Sequence, residues 1–385
     1  MTPPRGFPAE EFKQRTSAAQ ALMAEHGLAA LLLTTEPEIR YYTGFLTRFW
    51  ESPTRPWFVI IPATGDPIAV IPSIGAHLMG QSWITDIRTW AAPDYEDDGI
   101  GLLGDALSEI VPASGKIGLA DQMESHVRMP LADLRRLEAA LSPRSIDGDA
   151  TITRQLRLVK SEAEIAKIRH AAGIANRAFD RVPEHVSARM SLADVFRRFQ
   201  MLCLEEGADW VPYLAGAADA GGYADVISPA TDTPLAMGDV LMLDTGLVWD
   251  GYFCDFDRNY SVGAPAPDVA AAHARLIDAT HAAAEIAKPG ETIADLFHAM
   301  NRVVNPGGDT MEAGRLGHGL GMQLTEWPSI IPQDRTVLVP GMVLTLEPSV
   351  VVRDGKILVH EENIVIRAGG ADFLSAPQSH DIRVI

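Results

Sequence analysis

The most informative part of the sequence is residues 238–260, which read GDVLMLDTGLVWDGYFCDFDRNY. The dipeptide Asp250-Gly251 is a strong turn signal between two runs of residues that favour strands, so the segment predicts an antiparallel hairpin. Pairing of the two strands brings Asp244 close to Asp255. Because side chains alternate along a strand, we expect Asp255 and Asp257 on one face of the hairpin. The sequence therefore predicts three carboxylates crowded in one place.

The residues before these carboxylates are apolar, which indicates that the hairpin is buried. Residues 240–243 read VLML and lead directly into Asp244. Burying like charges together costs free energy unless a cation or bound protons compensate them. The alternative is an exposed hairpin whose acidic side chains are solvated. The apolar run favours the buried arrangement, with a cation at this place.

Three further candidates follow downstream, each in an apolar or glycine-rich segment. His318 lies within GHGLG, whose glycines allow close approach of the backbone. Glu347 ends the apolar stretch GMVLTLE, and Glu361 lies within VHEENIV, where strand alternation points its neighbour His360 to the opposite face. Each has an ordinary alternative, either a hydrogen-bonded loop histidine or an acidic side chain at the edge of a sheet. Singly, none of the three identifies a site.

Together, the five candidates form a set of donors typical of a centre for two divalent metal ions. The set contains four carboxylates and one imidazole: Asp244, Asp255, His318, Glu347 and Glu361. Hard, oxygen-rich donors of this kind suit Mn, Fe, Co or Zn, and two divalent ions would balance four negative charges. Two such ions about 3.5–4 Å apart lower the pKa of a water between them and orient it against a polarised carbonyl group.

The order and spacing of these motifs resemble the pita-bread metallopeptidase superfamily, which includes Xaa-Pro aminopeptidases and dipeptidases, methionine aminopeptidases and the metal-free creatinases. The N-terminal segment IRYYTGF (residues 39–45) is similar to the N-domain of creatinases and prolidases, and LVKSEAEI (158–165) resembles the start of the catalytic domain. The resemblance implies that the five candidates are metal ligands and that Glu347 is also the general base. Creatinases lack these ligands, so their presence here argues against a metal-free protein.

Two domains are predicted, because 385 residues exceed the usual size of one domain. Residues 1–150 alternate helical and extended patterns, as in an α/β domain, and the Pro-, Ser-, Gly- and Asp-rich stretch 142–149 marks the boundary. Residues 151–385 form the second domain. The resemblance implies that this domain is α+β, with a curved antiparallel sheet flanked by helices in the pita-bread arrangement, and that the protein is a homodimer.

The sequence departs from the family pattern at positions where its peptidases usually carry histidine. Ile227-Ser228 stand before the first metal strand, Gly314 stands four residues before His318, and Thr325 stands seven residues after it. In the family these histidines shuttle protons and hold the scissile peptide, so their joint absence weakens the assignment as a standard Xaa-Pro peptidase. Asp257 stands where the family usually has threonine. Three roles are open for it: an additional metal ligand, a proton acceptor, or a hydrogen-bond acceptor behind the ligands.

Further side chains are candidates for substrate binding. Trp50 and Trp57 with Arg55 would form a wall that attracts cations through the indole rings and carboxylates through the guanidinium, with packing in a core or interface as the alternative. The other candidates lie near the metal motifs: Tyr213, Thr325 and Glu326. Core packing is the alternative for Tyr213, and an ion pair is the alternative for Glu326.

The composition excludes several classes of protein. With 32 Lys and Arg against 51 Asp and Glu, the formal net charge is -19, which repels both nucleic acid and anionic membrane surfaces. Cys203 and Cys254 are too few for a disulfide framework and the start lacks a secretion-signal pattern, so we expect a cytoplasmic location. The apolar run 28–33 is far shorter than the roughly 20 residues that cross a bilayer, so no transmembrane segment is predicted.

Three functions are compatible with these observations. The first is a dinuclear metal-dependent hydrolase of a C–N bond in a small substrate, with chemistry like that of Xaa-Pro dipeptidases. The second is a lyase or specialised hydrolase of a small zwitterionic osmolyte of the betaine, ectoine or sulfoniopropionate type, which the missing histidines and the Trp- and Arg-rich N-terminal segment would suit. The third is a non-catalytic binding protein on the same fold, which the intact ligand set disfavours.

Overall fold

The computed structural model describes residues 2–52, 55–307 and 314–385. The described chain divides into two compact units, one of Pro4–Arg157 and one that contains Leu158–Ile385. Each unit has its own hydrophobic core. Every predicted metal ligand lies in the second unit.

The N-terminal unit is an α/β structure around one mixed sheet. Its strands are β1 (Ala30–Leu33), β2 (Phe58–Pro62), β3 (Ile68–Pro72), β4 (Asp86–Trp90), β5 (Lys116–Leu119) and β6 (Ser145–Gly148). Its helices are α1 (Ala9–His26), α2 (Glu36–Thr43), α3 (Ala76–Met79), α4 (Ile100–Ile110), α5 (Leu131–Leu141) and α6 (Ile152–Leu158). The strands are ordered β4-β3-β2-β1-β5-β6. The stretch 142–149, which the composition marks as a boundary, contains β6, the edge strand parallel to β5.

The C-terminal unit combines four helices with predominantly antiparallel strands. The helices are α7 (Glu162–His185), α8 (Leu192–Glu205), α9 (Pro267–Ile286) and α10 (Ile293–Val304). The strands are β7 (Trp210–Ala220), β8 (Asp239–Trp249), β9 (Tyr252–Phe253), β10 (Phe256–Ser261), β11 (His318–Gly319), β12 (Glu326–Ser329), β13 (Val343–Leu346), β14 (Ser349–Arg353), β15 (Lys356–Val359), β16 (Glu362–Arg367), β17 (Gly370–Phe373) and β18 (Arg383–Val384). Within the described ranges, no helix of either unit combines the length and apolar character needed to cross a lipid bilayer.

The strands of the C-terminal unit form two main sheets. One sheet has the order β18-β10-β8-β7, with β9 paired to β8, and the other has the order β12-β11-β13-β16-β17. The pairs are antiparallel except for β10 with β18, and β14 and β15 form a separate hairpin. The predicted fold class, an α/β domain followed by an α+β domain, is confirmed. The antiparallel strands that we expected in one curved sheet are divided between these two sheets.

The hairpin predicted from Asp250-Gly251 is present. Both turn residues have positive φ, 48° and 78°, as a type I′ turn requires. The strands stay in one register, with Trp249 opposite Tyr252 at the turn and Asp244 opposite Asp257 farther along. Asp244 and Asp257 therefore face each other across the hairpin.

Strand β8 is buried on both faces, which explains its nearly continuous apolar run. Val240 and Met242 pack in a core with α9 and α10, whereas Leu241 and Leu243 pack in a core with α7 and α8. By alternation, Asp244 lies on the side of Val240 and Met242. Its carboxylate is therefore placed at the end of an apolar surface.

Two segments predicted as single strands are interrupted in the structure. The second strand of the predicted hairpin is divided into β9 and β10 at Asp255, and the predicted strand around Glu361 is divided from β15 at His360 and Glu361, so that β16 begins at Glu362. The alternation that would turn His360 away from Glu361 does not apply, because residues outside a regular strand do not follow its period of two. Each interruption contains a predicted ligand.

Candidate metal centre

Three of the five predicted ligands converge in the C-terminal unit. Asp255, His318 and Glu361 each offer one ligand atom, and these atoms all lie within 4.8 Å of one another. His318 Nε2 is 3.4 Å from Asp255 Oδ2. All three residues are buried, each 3% exposed. This is the spacing expected of side chains that share a metal ion.

Asp255 is held at the strand interruption by the side chain of Asn363. The Asp255 amide donates to Asn363 Oδ1 at 3.1 Å, and Asn363 Nδ2 donates to the carbonyl oxygen of Asp255. A side chain thus replaces the strand partner that the backbone lacks here. The main chain of Asp255 is fixed, and its carboxylate is left for the centre.

His318 presents one ring nitrogen to the centre. Its Nδ1 is 2.8 Å from the Gly319 carbonyl oxygen, which can only accept, so Nδ1 carries the proton and the Nε2 lone pair is available to a metal. Burial and the nearby Arg315 guanidinium lower the pKa of His318 to about 4, so the imidazole is neutral at pH 7. Gly317 has φ +131°, and a Cβ there would lie 2.2 Å from the Thr345 carbonyl oxygen, so the close approach requires glycine.

Glu361 is positioned through its main chain. Its amide donates to Asp257 Oδ1 at 2.8 Å, and its carbonyl oxygen accepts from Arg258 Nη1 at 3.1 Å. Among the described residues, Glu361 Oε1 has no hydrogen-bond partner although it is buried. The backbone is therefore satisfied while the carboxylate is not.

Asp244 and Glu347 border the same cluster and are less buried. Tyr213 donates its hydroxyl hydrogen to Asp244 Oδ2 at 3.0 Å, whereas Asp244 Oδ1 has no partner among the described residues. Glu347 follows β13, and its amide donates to the Leu316 carbonyl oxygen at 3.0 Å. Both side chains keep a partly exposed surface, so solvent reaches the cluster from their side.

The pKa values of the cluster show how strongly its negative charges repel one another. Burial, followed by repulsion from neighbouring carboxylates, raises the pKa values of Asp244, Asp255 and Glu361 well above their usual range. Burial also raises the pKa of Glu347 to about 7, although Arg315 works in the opposite direction. Without a cation, these groups hold protons that exposed carboxyl groups would lose.

The side chains present fit divalent metal ions. Three buried carboxylate oxygens in this cluster lack a hydrogen-bond partner among the described residues: Asp244 Oδ1, Asp257 Oδ2 and Glu361 Oε1. Unpartnered buried oxygens of this kind are rare unless an ion or water meets them. Oxygen donors with one neutral imidazole match Mn, Fe, Co or Zn.

Asp257 belongs to a buried network of alternating charges behind the ligands. Its Oδ1 lies 3.4 Å from His360 Nδ1, His360 Nε2 lies 3.1 Å from Glu362 Oε1, and Glu362 Oε2 accepts from Arg258 Nη2 at 3.1 Å. Burial opposes ionisation, but Asp257 and Glu362 outweigh it and raise the pKa of His360. Burial likewise opposes ionisation of Glu362, yet Arg258 and His360 lower its pKa to about 2. His360 is thus packed between two carboxylates.

The substrate-binding candidates of the C-terminal unit have different surroundings. Tyr213 contacts Asp244, as described above, and Thr325 Oγ1 accepts a hydrogen bond from Arg315 Nη2 at 3.3 Å. Glu326 is buried, and its carboxylate accepts from Lys160 Nζ at 3.0 Å and from the Met322 amide at 2.8 Å. These contacts support an ion-pair role for Glu326.

The N-terminal candidates lie in the other unit. Trp50 and Trp57 are 9% and 1% exposed, and their rings are 5.7 Å apart. Both also pack against Phe45. The carbonyl oxygen of Arg55 accepts from Arg128. The two indoles belong to an aromatic cluster, which supports the packing alternative.

Sequence reasoning missed Arg315 as a residue of the site. Its charge reaches Asp255, His318 and Glu347, as the pKa shifts of all three show. The available signal was its position, three residues before His318 and next to Gly314, where the family usually has histidine.

Comparison with known protein families matches both units. A family model described as metallopeptidase family M24 matches residues 166–368, and one described as the creatinase/prolidase N-terminal domain matches residues 15–159. The chain is 30% identical over 349 residues to the probable dipeptidase PepE of Mycobacterium tuberculosis, covering 90% of this chain and 89% of that protein. It is also 30% identical over 228 residues to the Xaa-Pro dipeptidase of Pyrococcus horikoshii, covering 58% of this chain and 64% of that protein.

Solved structures resemble the chain over nearly its whole length. Dipeptidase PepE from Mycobacterium ulcerans superposes with a TM-score of 0.84 at 28% identity, covering 98% of this chain and 99% of that one. The X-Pro aminopeptidase from Thermotoga maritima superposes with a TM-score of 0.82 at 25% identity, covering 96% and 99%. The similarity therefore extends through both units.

Proposed function

The chain belongs to metallopeptidase family M24, and we propose that it is a dinuclear metal-dependent hydrolase that cleaves a C–N bond in a small substrate. The proposed substrate class is the Xaa-Pro dipeptides. The observation that carries the proposal is the convergence of Asp255, His318 and Glu361 with ligand atoms within 4.8 Å. The relatives named as dipeptidase and Xaa-Pro dipeptidase support a peptide substrate.

The proposed ligands are the five residues found from the sequence: Asp244, Asp255, His318, Glu347 and Glu361. Two divalent ions held there would polarise the scissile carbonyl and lower the pKa of the attacking water. The chain itself supplies the geometry: Asn363 fixes the main chain of Asp255, and Gly319 fixes the tautomer of His318. Such partners behind the ligands orient them and maintain their basicity.

Glu347 is our choice of general base. Its side chain is partly exposed beside the buried ligands, so it can reach both the cluster and a substrate that enters from solvent. In the metal-free protein, burial raises the pKa of Glu347 to about 7, so its carboxyl group exchanges protons near neutral pH. In this role Glu347 takes a proton from the attacking water and returns it to the leaving nitrogen.

The proposal is tested by metal analysis together with turnover. Protein loaded separately with Mn, Co or Zn should bind about two equivalents and release proline from alanyl-proline. Asp255→Asn should lose metal and activity, whereas Asp354→Asn, which neutralises an exposed acid in the same unit, should lose neither. Fewer than one equivalent of metal would contradict the dinuclear centre. Full metal loading without turnover of any Xaa-Pro dipeptide would contradict the substrate class.

One observation favours the zwitterionic osmolytes as a second candidate substrate class. Positions 314 and 325 lack histidine, and the structure instead places Arg315 in a hydrogen bond with Thr325. A guanidinium suits a small molecule that carries a carboxylate. Incubation of the metal-loaded protein with betaine, ectoine or a sulfoniopropionate compound, followed by product analysis, separates this candidate from the dipeptides.

A homodimer and a cytoplasmic location complete the proposal. The homodimer rests on the resemblance to the superfamily, and light scattering of the purified protein measures it directly. The location rests on cysteine usage, since Cys203 and Cys254 are free and buried. A monomer at micromolar concentration would contradict the homodimer.

A further inference from the structure

Arg315 is a cation beside the metal-binding residues, and within the part of the chain that the structure describes it uses little of its hydrogen-bonding capacity. It lies in the loop before His318, and its side chain is half-buried. Its Nη2 donates to Thr325 Oγ1 at 3.3 Å. Among the described residues, no carboxylate lies within ion-pair distance of its guanidinium. A guanidinium has five N–H donors, so several remain for a ligand.

The charge of Arg315 acts on the centre from its solvent-accessible side. Its guanidinium counteracts the burial that raises the pKa of Asp255 and Glu347, which places the cation near both carboxylates. Asp244 and Glu347, the less buried members of the cluster, mark the side from which solvent enters. Arg315 and Thr325, which share a hydrogen bond, are also partly exposed.

The charge balance leaves Arg315 available to an anion. Four carboxylate ligands match the charge of two divalent ions, and Asp257 has His360 as its own partner at 3.4 Å. Among the described residues, no other carboxylate forms an ion pair with Arg315, so its guanidinium is available to an anionic ligand. A planar guanidinium fork matches a carboxylate in a bidentate arrangement, which also fixes the orientation of the ligand.

We propose that Arg315, held in place by Thr325, binds the carboxylate of the substrate and makes the enzyme selective for small substrates with a free carboxylate. The inference rests on the proposed function and names the recognition element of that same site. Arg315 is then a residue that determines specificity, and Thr325 is a positioning residue. Dipeptides and zwitterionic osmolytes share this carboxylate, so either substrate class is recognised in the same way.

The first test compares a free acid with its neutral amide. Wild-type protein loaded with Mn should prefer alanyl-proline over alanyl-prolinamide in kcat/KM. Arg315→Met should reduce this preference by about 10- to 100-fold, the value of hydrogen bonds to a charged group, and mainly through KM. Arg302→Met removes an exposed guanidinium on α10 and should leave the preference unchanged. An undiminished preference in Arg315→Met overturns the inference.

The second test reports on Thr325 through its conservative variant. Thr325→Val should raise KM for alanyl-proline with little change in kcat, because the guanidinium loses the acceptor that orients it. Thr325→Ser keeps a hydroxyl acceptor and should restore KM. Equal KM values in the Val and Ser variants contradict the positioning role.

A binding measurement separates failure of this inference from failure of the proposed function. Calorimetry of metal-loaded protein with L-proline, L-prolinamide and glycine betaine requires no turnover. We expect wild-type protein to bind L-proline or glycine betaine, to bind prolinamide more weakly, and to lose the difference in Arg315→Met. If no dipeptide is cleaved, the dipeptidase function fails, while this binding pattern still supports the role of Arg315. Equal binding of acid and amide by wild-type protein overturns it.

Discussion

At the level of single residues, Asp257 shows how a buried carboxylate can hold the main chain of a neighbouring residue in place. Asp257 uses Oδ1 to accept the amide hydrogen of Glu361 and lies beside His360. Its Oδ2 has no partner among the described residues. These contacts support a role in positioning Glu361, while the free oxygen keeps direct metal binding open as an alternative.

We predict that Asp257→Asn retains both metal ions, because an amide oxygen still accepts from the Glu361 main chain. Asp257→Ala should lower metal affinity by about 10- to 100-fold, since it leaves that amide without its acceptor and removes the carboxylate next to His360. It should also lower the free energy of unfolding by about 1–3 kcal/mol. Calorimetric metal titration and urea unfolding measure both effects. Loss of one metal equivalent in Asp257→Asn would instead identify Asp257 as a ligand.

The Glu347 carboxyl group predicts a specific pH dependence of the metal-free protein. Burial raises its pKa from 4.5 in the unfolded chain to about 7 in the folded protein. Between these values the folded protein keeps the proton that the unfolded chain has lost, so this group makes the protein less stable as the pH rises. Above about pH 7 the decrease in the free energy of unfolding is complete and amounts to about 3 kcal/mol.

Glu347→Gln isolates this contribution, because the variant cannot titrate at that position. In the presence of a chelator, the variant should gain stability relative to wild type as the pH rises from 4.5 to 7. Parallel urea unfolding of the two proteins at intervals of half a pH unit measures the difference. A difference that stays constant over this range contradicts the raised pKa. Titrating groups far from Glu347 cancel in the comparison.

At the level of elements, the centre lies where two sheets meet along a polar seam. The seam consists of residues at the start of β10 and of β16 with those just before them: Asp255, Asp257, Arg258, Glu361, Glu362 and Asn363. All are buried. Side chains of one strand pair with the backbone of the other, so the amide and carbonyl groups of Asp255 and Glu361 have partners despite the interruptions. The interruptions thereby release two carboxylates for metal binding.

Asn363 tests this arrangement at the element level. Asn363→Ala removes both hydrogen bonds to the main chain of Asp255 and leaves a buried amide and carbonyl group unpaired. We expect a loss of about 2–4 kcal/mol in the free energy of unfolding, together with about tenfold weaker metal binding. Asn305→Ala, which removes a partly buried amide just after α10, should leave metal affinity unchanged. Equal metal affinity in both variants would show that the seam does not position Asp255.

At the level of the whole molecule, metal binding should contribute to stability because the folded chain gathers repelling carboxylates. The chain as a whole is acidic, with a net charge of -19, so divalent ions reduce repulsion both at the centre and overall. Metal bound at 100 times its dissociation constant stabilises the folded state by about 2.7 kcal/mol.

We therefore predict that a chelator lowers the melting temperature by about 5–10 °C and that added Mn restores it. Differential scanning calorimetry with and without Mn measures the shift. Asp255→Asn should show no response to Mn, whereas Asp354→Asn should respond like wild type. An identical melting temperature for wild-type protein with chelator and with Mn would contradict a metal site that binds the folded state.

Local patterns were sufficient to predict the hairpin that carries Asp244, Asp255 and Asp257. The Asp250-Gly251 turn sets its register, and Ser161 with Glu164 forms a capping box at the start of α7. These features depend on residues a few positions apart, whose conformational preferences act before any distant contact forms. For the same reason, Asp244 and Glu347 were recognisable from their positions at the ends of apolar runs, and His318 from its glycine-rich segment.

The contacts that complete the centre join residues that are distant in the sequence. The Glu361 amide donates to the Asp257 side chain, which lies 104 residues earlier in the sequence. The Asn363 side chain accepts from the Asp255 amide, which lies 108 residues earlier. The interruption of the strand at His360 depends on these partners, so periodicity alone predicted one continuous strand. The position of Arg315 before His318 was the available local signal, but its role depends on the charges that surround it after folding. Which carboxylates converge and which cation faces the substrate are therefore decided by tertiary packing, since burial and charge balance exist only once the chain has folded.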